Sequence, residues 1–104
     1  MTTPFTEKVK AIIKSIPSGK VATYGQIATI AGNPRSARQV AWILHSSSRK
    51  NNLPWHRIIN SKGKISLPPH KGGEIQEQLL EMEGIIVKPS GLIDLDNFQW
   101  DFKE

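Results

Sequence analysis

Two capping boxes with a tight turn between them constrain the fold of this chain more than any other feature. In a capping box, a Ser or Thr side chain accepts from the backbone three residues on, and a Gln or Glu there bonds back to the capping residue. The chain has Thr-Tyr-Gly-Gln at 23–26 and Ser-Ala-Arg-Gln at 36–39. Gly32, suited to a left-handed helix end, and Pro34 lie between them. The pattern predicts a helix-turn-helix arrangement in which the second helix runs to about His45.

Apolar spacing predicts one further helix on each side of this unit. Thr3 is a candidate N-cap with Pro4 at the first helical position, and apolar residues then recur on one face up to Ile16. The second helix should bury Val40, Ile43 and Leu44, and the polar stretch 46–52 should form a loop. An acidic helix over 74–84 is expected to turn inward Ile75, Leu79 and Met82.

Little strand is expected in the remainder of the chain. Residues 58–65 predict a small hairpin, the wing of a winged-helix fold, and residues 85–95 predict a second hairpin. Alternating aromatic residues should then pack the C-terminal tail onto the core: Phe98, Trp100 and Phe102. The fold class is therefore mainly α with minor β, a winged helix-turn-helix-like single domain over residues 1–104.

Positive charge is concentrated in one part of the chain. Residues 1–71 contain twelve Lys and Arg residues and a single acid, Glu7, whereas residues 72–104 contain two Lys and eight acids. A basic block of this kind is typical of proteins that bind a polyanion. A solvated basic face is the alternative, and we favour nucleic acid.

The start of the second helix indicates how DNA could be approached. Its exposed face carries small residues around one long cation, Arg38; the small residues are Ser36, Ala37 and Ala41. Helices that read the major groove usually present several Asn, Gln or Arg side chains to base edges. A small-residue face instead lets the backbone approach a narrow groove while a single Arg projects into it.

Five segments together resemble the DNA-binding domain of the O6-alkylguanine-DNA alkyltransferases. In chain order they are GKVATYGQIA, GNPRSARQVA, PWHRII, SKGKI and LLEMEG, and the resemblance covers roughly residues 3–84. The enzymes of this family have Pro-Cys-His-Arg where this chain has Pro54, Trp55, His56 and Arg57. The chain therefore resembles the alkyltransferase-like branch of the family, which does not repair the base. The resemblance implies the same fold as the C-terminal domain of those enzymes.

The resemblance also implies roles for individual residues in DNA binding. Arg38 matches an arginine finger that enters the stack from the minor groove and fills the space of the extruded nucleotide. Tyr24 matches a tyrosine that presses on the adjoining phosphate and helps to rotate the nucleotide out. We expect the damaged base to be held by a lesion pocket: Tyr24, Pro54, Trp55, Ser66, Pro68 and Pro69.

The remaining family positions match an active site that lacks its nucleophile. His56 and Glu83 match the pair that activates the family's cysteine, and with Arg57 they are expected to persist as a structural remnant. An indole has no lone pair that attacks an alkyl group at neutral pH. We expect no enzyme activity, no metal and no cofactor. The loop LPPHKGG, residues 67–73, and Trp42, where most relatives have a small residue, depart from the family pattern.

Three functions remain open from the sequence. The favoured hypothesis is a non-enzymatic sensor that flips O6-alkylguanine out of double-stranded DNA and marks it for nucleotide-excision repair proteins. The second is an enzyme that uses another nucleophile, such as water held by His56 and Glu83. The third is a winged-helix regulator that reads ordinary sequence.

Several partners and locations are excluded by composition. The chain has no cysteine, which excludes disulfides and thiolate metal sites. No apolar run is long enough for a membrane span, and the N-terminus lacks the apolar core of a signal peptide. We expect a cytoplasmic monomer without membrane partners, associated with the nucleoid if its source is a bacterium.

Overall fold

The computed structural model describes residues 3–102, with the side chains of residues 48–50 and 69 excepted. Its helices are α1 (Pro4–Lys14), α2 (Tyr24–Ile30), α3 (Ala37–Asn51), α4 (Gly73–Met82) and α5 (Leu95–Phe98). Its strands are β1 (Ala22–Thr23) and β2 (Ile58–Ile59), and one-turn 3₁₀ helices occupy Trp55–Arg57 and Pro69–Lys71. The prediction of a mainly helical fold with little strand is confirmed. Within this described range, no helix is both long and apolar enough to cross a membrane.

The helix-turn-helix arrangement forms where the first capping box predicts it. Thr23 Oγ1 accepts from the Gln26 N–H at 3.1 Å, and Gln26 Oε1 accepts from the Thr23 N–H at 3.4 Å. Gly32 has a φ of 94°, the left-handed conformation expected just after the end of α2. Helices α2 and α3 pack against each other, and α3 buries its predicted stripe of Val40, Ile43 and Leu44.

Helix α3 is longer than predicted. The sequence predicts an end near His45 and a loop over 46–52, but the helix continues to Asn51. Asn52, with a φ of 53°, adopts the left-handed conformation that ends it. The polar residues at 46–52 indicate exposure to solvent. An exposed turn of helix fits that pattern as well as a loop does, so the pattern could not distinguish the two.

A two-stranded sheet joins two hydrophobic clusters. Strands β1 and β2 are parallel, with Ala22 opposite Ile58 and Thr23 opposite Ile59. Because successive strand residues point to opposite faces, Ala22 and Ile58 lie in the larger cluster, together with residues of α1, α2 and α3. Ile59 lies in the smaller cluster with Val21, Leu80, Ile85 and Ile93.

The predicted wing hairpin over 58–65 forms only in part: β2 pairs with β1, and across the turn the Asn60 N–H donates to the Lys64 carbonyl at 3.2 Å. A turn does form there, and Asn60 Oδ1 accepts from the backbone N–H groups of Lys62 and Lys64 at 3.0 Å each. Lys64 then forms an antiparallel bridge with Leu92. Both pairings join residues more than twenty positions apart, so local periodicity carries no signal for them.

The C-terminal region largely follows its prediction. Val87 and Ile93 form the antiparallel bridge of the second hairpin, and the short α5 follows. Phe98 packs against the smaller cluster and Trp100 against the larger one. Phe102 remains 37% exposed, so only part of the aromatic tail is anchored on the core.

The predicted inward face of α4 is wrong. Ile75 and Met82 are 56% and 83% exposed, and Leu79 is only half-buried. The residues that α4 buries are instead Gly73, Gln76 and Leu80. The helix is thus rotated by about one residue from the face that its apolar residues predict.

A buried amide explains this rotation. Gln76 is 3% exposed, and its Nε2 donates to the carbonyls of His56 at 3.1 Å and Ile58 at 3.0 Å. At the start of the helix, a Cβ on Gly73 would overlap the carbonyl of Leu67, so α4 approaches that loop more closely than another residue would allow. Two polar bonds and one close approach therefore set the orientation of α4.

Replacing Gln76 by Leu should lower the free energy of unfolding by about 2 kcal/mol, since two buried carbonyls lose their donor. Chemical denaturation followed by circular dichroism measures this. Gln78→Leu on the exposed side of α4 is the matched control and should change stability by less than about 0.5 kcal/mol. Equal stability of the two variants would show that the Gln76 amide does not anchor the helix.

Candidate nucleic-acid interface

The Trp55–Arg57 turn carries three consecutive side chains that contact different partners. Pro54 precedes it and accepts from the Arg57 N–H at 3.1 Å, which closes the turn. The Trp55 indole packs against the larger core cluster and meets the His56 ring edge-on, with centroids 6.2 Å apart and planes at 85°. The side chains of His56 and Arg57 both reach Glu83 at the end of α4.

Two cavities share Trp55, His45 and Leu67 as walls. The larger, which we call the Trp55 cavity, measures about 760 Å³ and is also lined by Asn52, Leu53, Pro54, His56, Lys71 and Gly72. The smaller, the Tyr24 cavity, measures about 130 Å³ and reaches Tyr24, Ala41, Leu44, Ile58 and Gln76. Ligand sites commonly measure roughly 300–1,000 Å³, so the Trp55 cavity has room for a group as large as a nucleotide.

Tyr24 stands at the edge of this region as the first residue of α2. Its side chain is half-buried, and its hydroxyl is hydrogen-bonded to Ser66. Burial raises the pKa of Tyr24 above its usual value of 10.0, and the bond to Ser66 only partly opposes this. The phenol therefore stays neutral near pH 7 and keeps a hydroxyl that can donate to a phosphate or a base.

The Glu83 carboxylate accepts hydrogen bonds from three residues in two parts of the chain. Arg57 Nε lies 3.1 Å from both carboxylate oxygens, and its second terminal nitrogen lies 2.8 Å from Oε2. His56 Nε2 lies 2.7 Å from Oε2, and the Gly19 N–H donates to Oε1 at 3.0 Å. Arg57 also donates to the carbonyl of Ile16 at 2.8 Å.

These contacts fix the protonation of the network. Burial alone would raise the pKa of Glu83, but hydrogen bonds from Arg57, His56 and Gly19 and the positive charge of Arg57 outweigh it, so this pKa falls from 4.5 to about 2. The carboxylate is ionised near pH 7, so His56 Nε2 carries the proton and donates. Both Glu83 oxygens are already occupied as acceptors, and neither is available to take a proton from water.

The predicted DNA-facing residues lie together at the start of α3. Ser36 immediately precedes the helix, Ala37 begins it, and Arg38 is exposed. Arg38 makes no ion pair or side-chain hydrogen bond within the described residues. One turn further, Ala41 lines the Tyr24 cavity. The small-residue face and the cavities are therefore continuous.

The loop over residues 67–73 lines the cavities with other residues than the sequence predicts. Leu67 lines both cavities, whereas Pro68 is exposed and its carbonyl accepts from the N–H groups of Lys71 and Gly73. The side chain of Pro69, also predicted for the pocket, lies outside the described residues. The predicted roles of Ser66, Pro68 and Pro69 toward a base remain predictions.

Sequence reasoning missed His45 and Leu67 as cavity residues. His45 follows Ala41 by four positions, so the two share one row on α3, and that spacing could have identified it. Leu67 follows no periodic pattern, and its place depends on the close approach of α4 to the loop. Gln76 was missed because a polar residue on an acidic helix normally faces solvent.

Glu83→Gln should destabilise the protein near pH 7 and flatten the acid limb of its stability profile. The pKa of Glu83 is lower in the folded state, so its contribution is complete above about pH 4.5 and is lost as the pH falls toward 2. The expected loss near pH 7 is about 2–3 kcal/mol. Urea denaturation of wild type and variant between pH 7 and pH 3 measures it, with Glu81→Gln as an exposed control on α4. A constant stability difference over this range would contradict the low pKa.

Comparison with known proteins identifies the family. The family model of the 6-O-methylguanine DNA methyltransferase DNA-binding domain matches residues 4–85. The DNA base-flipping protein of Escherichia coli K12 is 43% identical over 94% of this chain and 75% of its own length. The DNA base-flipping protein of Vibrio parahaemolyticus is 47% identical over 92% of this chain and 95% of its own.

A solved structure is also similar to this chain. The crystal structure of S. pombe Atl1 with damaged DNA containing O6-carboxymethylguanine superposes with a TM-score of 0.86 at 36% identity, covering 97% of this chain and 99% of Atl1. The family-model match over residues 4–85 includes the helix-turn-helix unit, the Trp55 turn and Glu83. The chain belongs to the family defined by the DNA-binding domain of 6-O-methylguanine DNA methyltransferase.

Proposed function

We propose that this protein binds duplex DNA containing O6-alkylguanine, turns the damaged nucleotide out into the Trp55 cavity, and leaves the alkyl group in place. The position of Trp55 carries the proposal. An indole lines a nucleotide-sized cavity directly beside His56 and also lines the adjoining Tyr24 cavity, which reaches Ala41 on the small-residue face of α3. The names of the E. coli and Vibrio relatives and the lesion in the Atl1 complex support the choice of DNA and of the damaged base.

The absence of transfer follows from the chemistry of the side chains. Alkyl transfer to protein needs a nucleophile at the cavity wall, and the chain has no cysteine. Trp55 offers an aromatic face and an N–H donor in its place. His56 Nε2 is committed to Glu83 at 2.7 Å, and the Glu83 oxygens accept from Arg57 and Gly19 as well. This arrangement disfavours a water-activating enzyme.

Base flipping is energetically accessible with these residues. Unpairing and unstacking a nucleotide costs a few kcal/mol, and less when the base is damaged. Stacking on an aromatic side chain returns roughly 1–3 kcal/mol per base. Arg38 can occupy the space left in the duplex, and the basic block supplies phosphate contacts along the strands. A regulator that reads intact sequence would need several base-reading side chains, and the start of α3 presents only Arg38 and Gln39 beyond small residues.

Lesion binding without transfer is directly measurable. Titration of labelled duplexes by fluorescence anisotropy should show tighter binding to one O6-methylguanine than to guanine in the same sequence. After prolonged incubation, mass spectrometry should find an unmodified protein and an intact lesion. Restored guanine or an alkylated protein would establish an enzyme, and equal affinity for both duplexes would contradict lesion recognition.

Arg38 should act through its planar guanidinium as well as its charge. Arg38→Ala should weaken binding to the alkylated duplex about 10- to 100-fold, the scale of an unstacking cost, and weaken intact duplex less. Arg38→Lys is the matched variant, since it keeps the charge but cannot stack in the same way. A fluorescent base analogue at the target should report less extrusion in both variants. If the Arg38→Lys variant flipped the base as fully as wild type does, Arg38 would act only as a phosphate contact.

We further propose that the complex marks the lesion for nucleotide-excision repair. A protein that holds a flipped base without repairing it leaves a distorted, protein-bound duplex, which is a suitable signal for an excision system. Purified nucleotide-excision proteins should incise an alkylated duplex faster when this protein is added. The Arg38→Ala variant is the control and should give less stimulation. Unchanged incision in the presence of saturating protein would reject the marking step.

A further inference from the structure

Trp42 is exposed at the DNA-facing end of the molecule. Its side chain is 68% exposed, although a Trp normally gains much of its stabilisation from burial. It lines an open cleft of about 470 Å³ on α3, here called the Trp42 cleft, with Arg35, Ser36, Arg38 and Gln39. This cleft is separate from the Trp55 and Tyr24 cavities, and its residues Trp42 and Arg35 have no role in the function proposed above.

The cleft and the cavities are lined by two neighbouring rows of residues on α3. Ala41 and His45, four positions apart, form one row that lines the Tyr24 cavity. Arg38 and Trp42, also four positions apart, form the neighbouring row that lines the Trp42 cleft. The cavities and the cleft therefore open along adjacent strips of the same side of α3, and Arg38 lies between the cavity row and Trp42.

The polar groups of the cleft are available for a ligand. Within the part of the chain that the structure describes, the side chains of Arg35, Arg38 and Gln39 make no ion pair or hydrogen bond. Two cations and an amide around an aromatic ring match a nucleic-acid strand, in which phosphates alternate with apolar sugar and base faces. The same combination would repel a basic protein surface.

We propose that the Trp42 cleft binds the DNA strand opposite the flipped nucleotide, with the indole packed against its deoxyribose and base faces. The inference rests on the proposed function. When one strand delivers its nucleotide to the cavities and Arg38 fills the vacated space, the complementary strand passes beyond Arg38, over the adjacent row of α3 that carries Trp42. Arg35 then neutralises a phosphate of that strand, and Gln39 donates to it.

The first test measures affinity. Trp42→Ala should weaken binding to alkylated and unmodified duplexes alike by about 10- to 100-fold, the scale of aromatic stacking, whereas Trp42→Phe should retain most of it. Met82→Ala, at a site 83% exposed on α4, is the matched control and should bind as wild type does. Thermal unfolding of Trp42→Ala should equal that of wild type, because the side chain is exposed. Affinity within about twofold of wild type for Trp42→Ala would overturn the proposal.

The second test identifies the strand. 5-Bromouracil placed near the target in either strand is irradiated in the complex, and the cross-linked peptide is mapped by mass spectrometry. An adduct on Trp42 from the opposite strand supports the proposal; an adduct on Trp42 from the lesion strand alone, or none on Trp42 from either strand, overturns it. Preference of the wild-type protein for alkylated over unmodified duplex reports separately on the proposed function. The Trp42 variants are compared on both duplexes, so each idea can fail alone.

Discussion

The carboxylate of Glu83 connects parts of the chain that lie far apart in sequence. It accepts from the backbone of Gly19 in the turn after α1, and from His56 and Arg57 in the turn after α3. Through Arg57 the connection extends to the carbonyl of Ile16. Because the charges are matched and the oxygens fully used, this partly buried ion can be accommodated, whereas removing one partner would leave an uncompensated charge. The Trp55 turn, and with it the wall of both cavities, is held in place by these bonds.

The same network gives His56 and Glu83 a structural role that needs no reaction. In a thiol enzyme, a His and carboxylate pair draws a proton from the nucleophile. Here the His56–Glu83 pair has no thiol beside it, and the pair still orients the turn that carries Trp55. Under the proposed function, Trp55 offers aromatic surface where a transferase needs a nucleophile. The hydrogen bonds of His56 and Arg57 to Glu83 hold the turn in either case.

The distribution of charge separates two regions of the molecule. The free cations of α3 and the turn before it lie beside small residues and cavities, whereas α4 carries Glu74, Glu77 and Glu81 on its outer side. A polyanion is attracted to the first region and repelled by the second. Helix α3 carries Arg38 and lines both the Trp42 cleft and the Tyr24 cavity, so the DNA contacts proposed above depend on this helix.

Local chemistry was sufficient to predict the helix-turn-helix unit, the buried stripes of α1 and α3, and the small-residue face around Arg38. Capping boxes, left-handed glycines and helical periodicity act over a few residues and can be read directly. The family motif likewise indicated the Trp55 turn and its partners. The parallel pairing of β1 with β2, the buried face of α4 and the place of Leu67 could not be predicted this way. Two-residue strands have no periodicity, and α4 turns Gln76 inward because carbonyls of His56 and Ile58 are there to accept from it. Those acceptors come into reach of α4 only once distant segments have packed together.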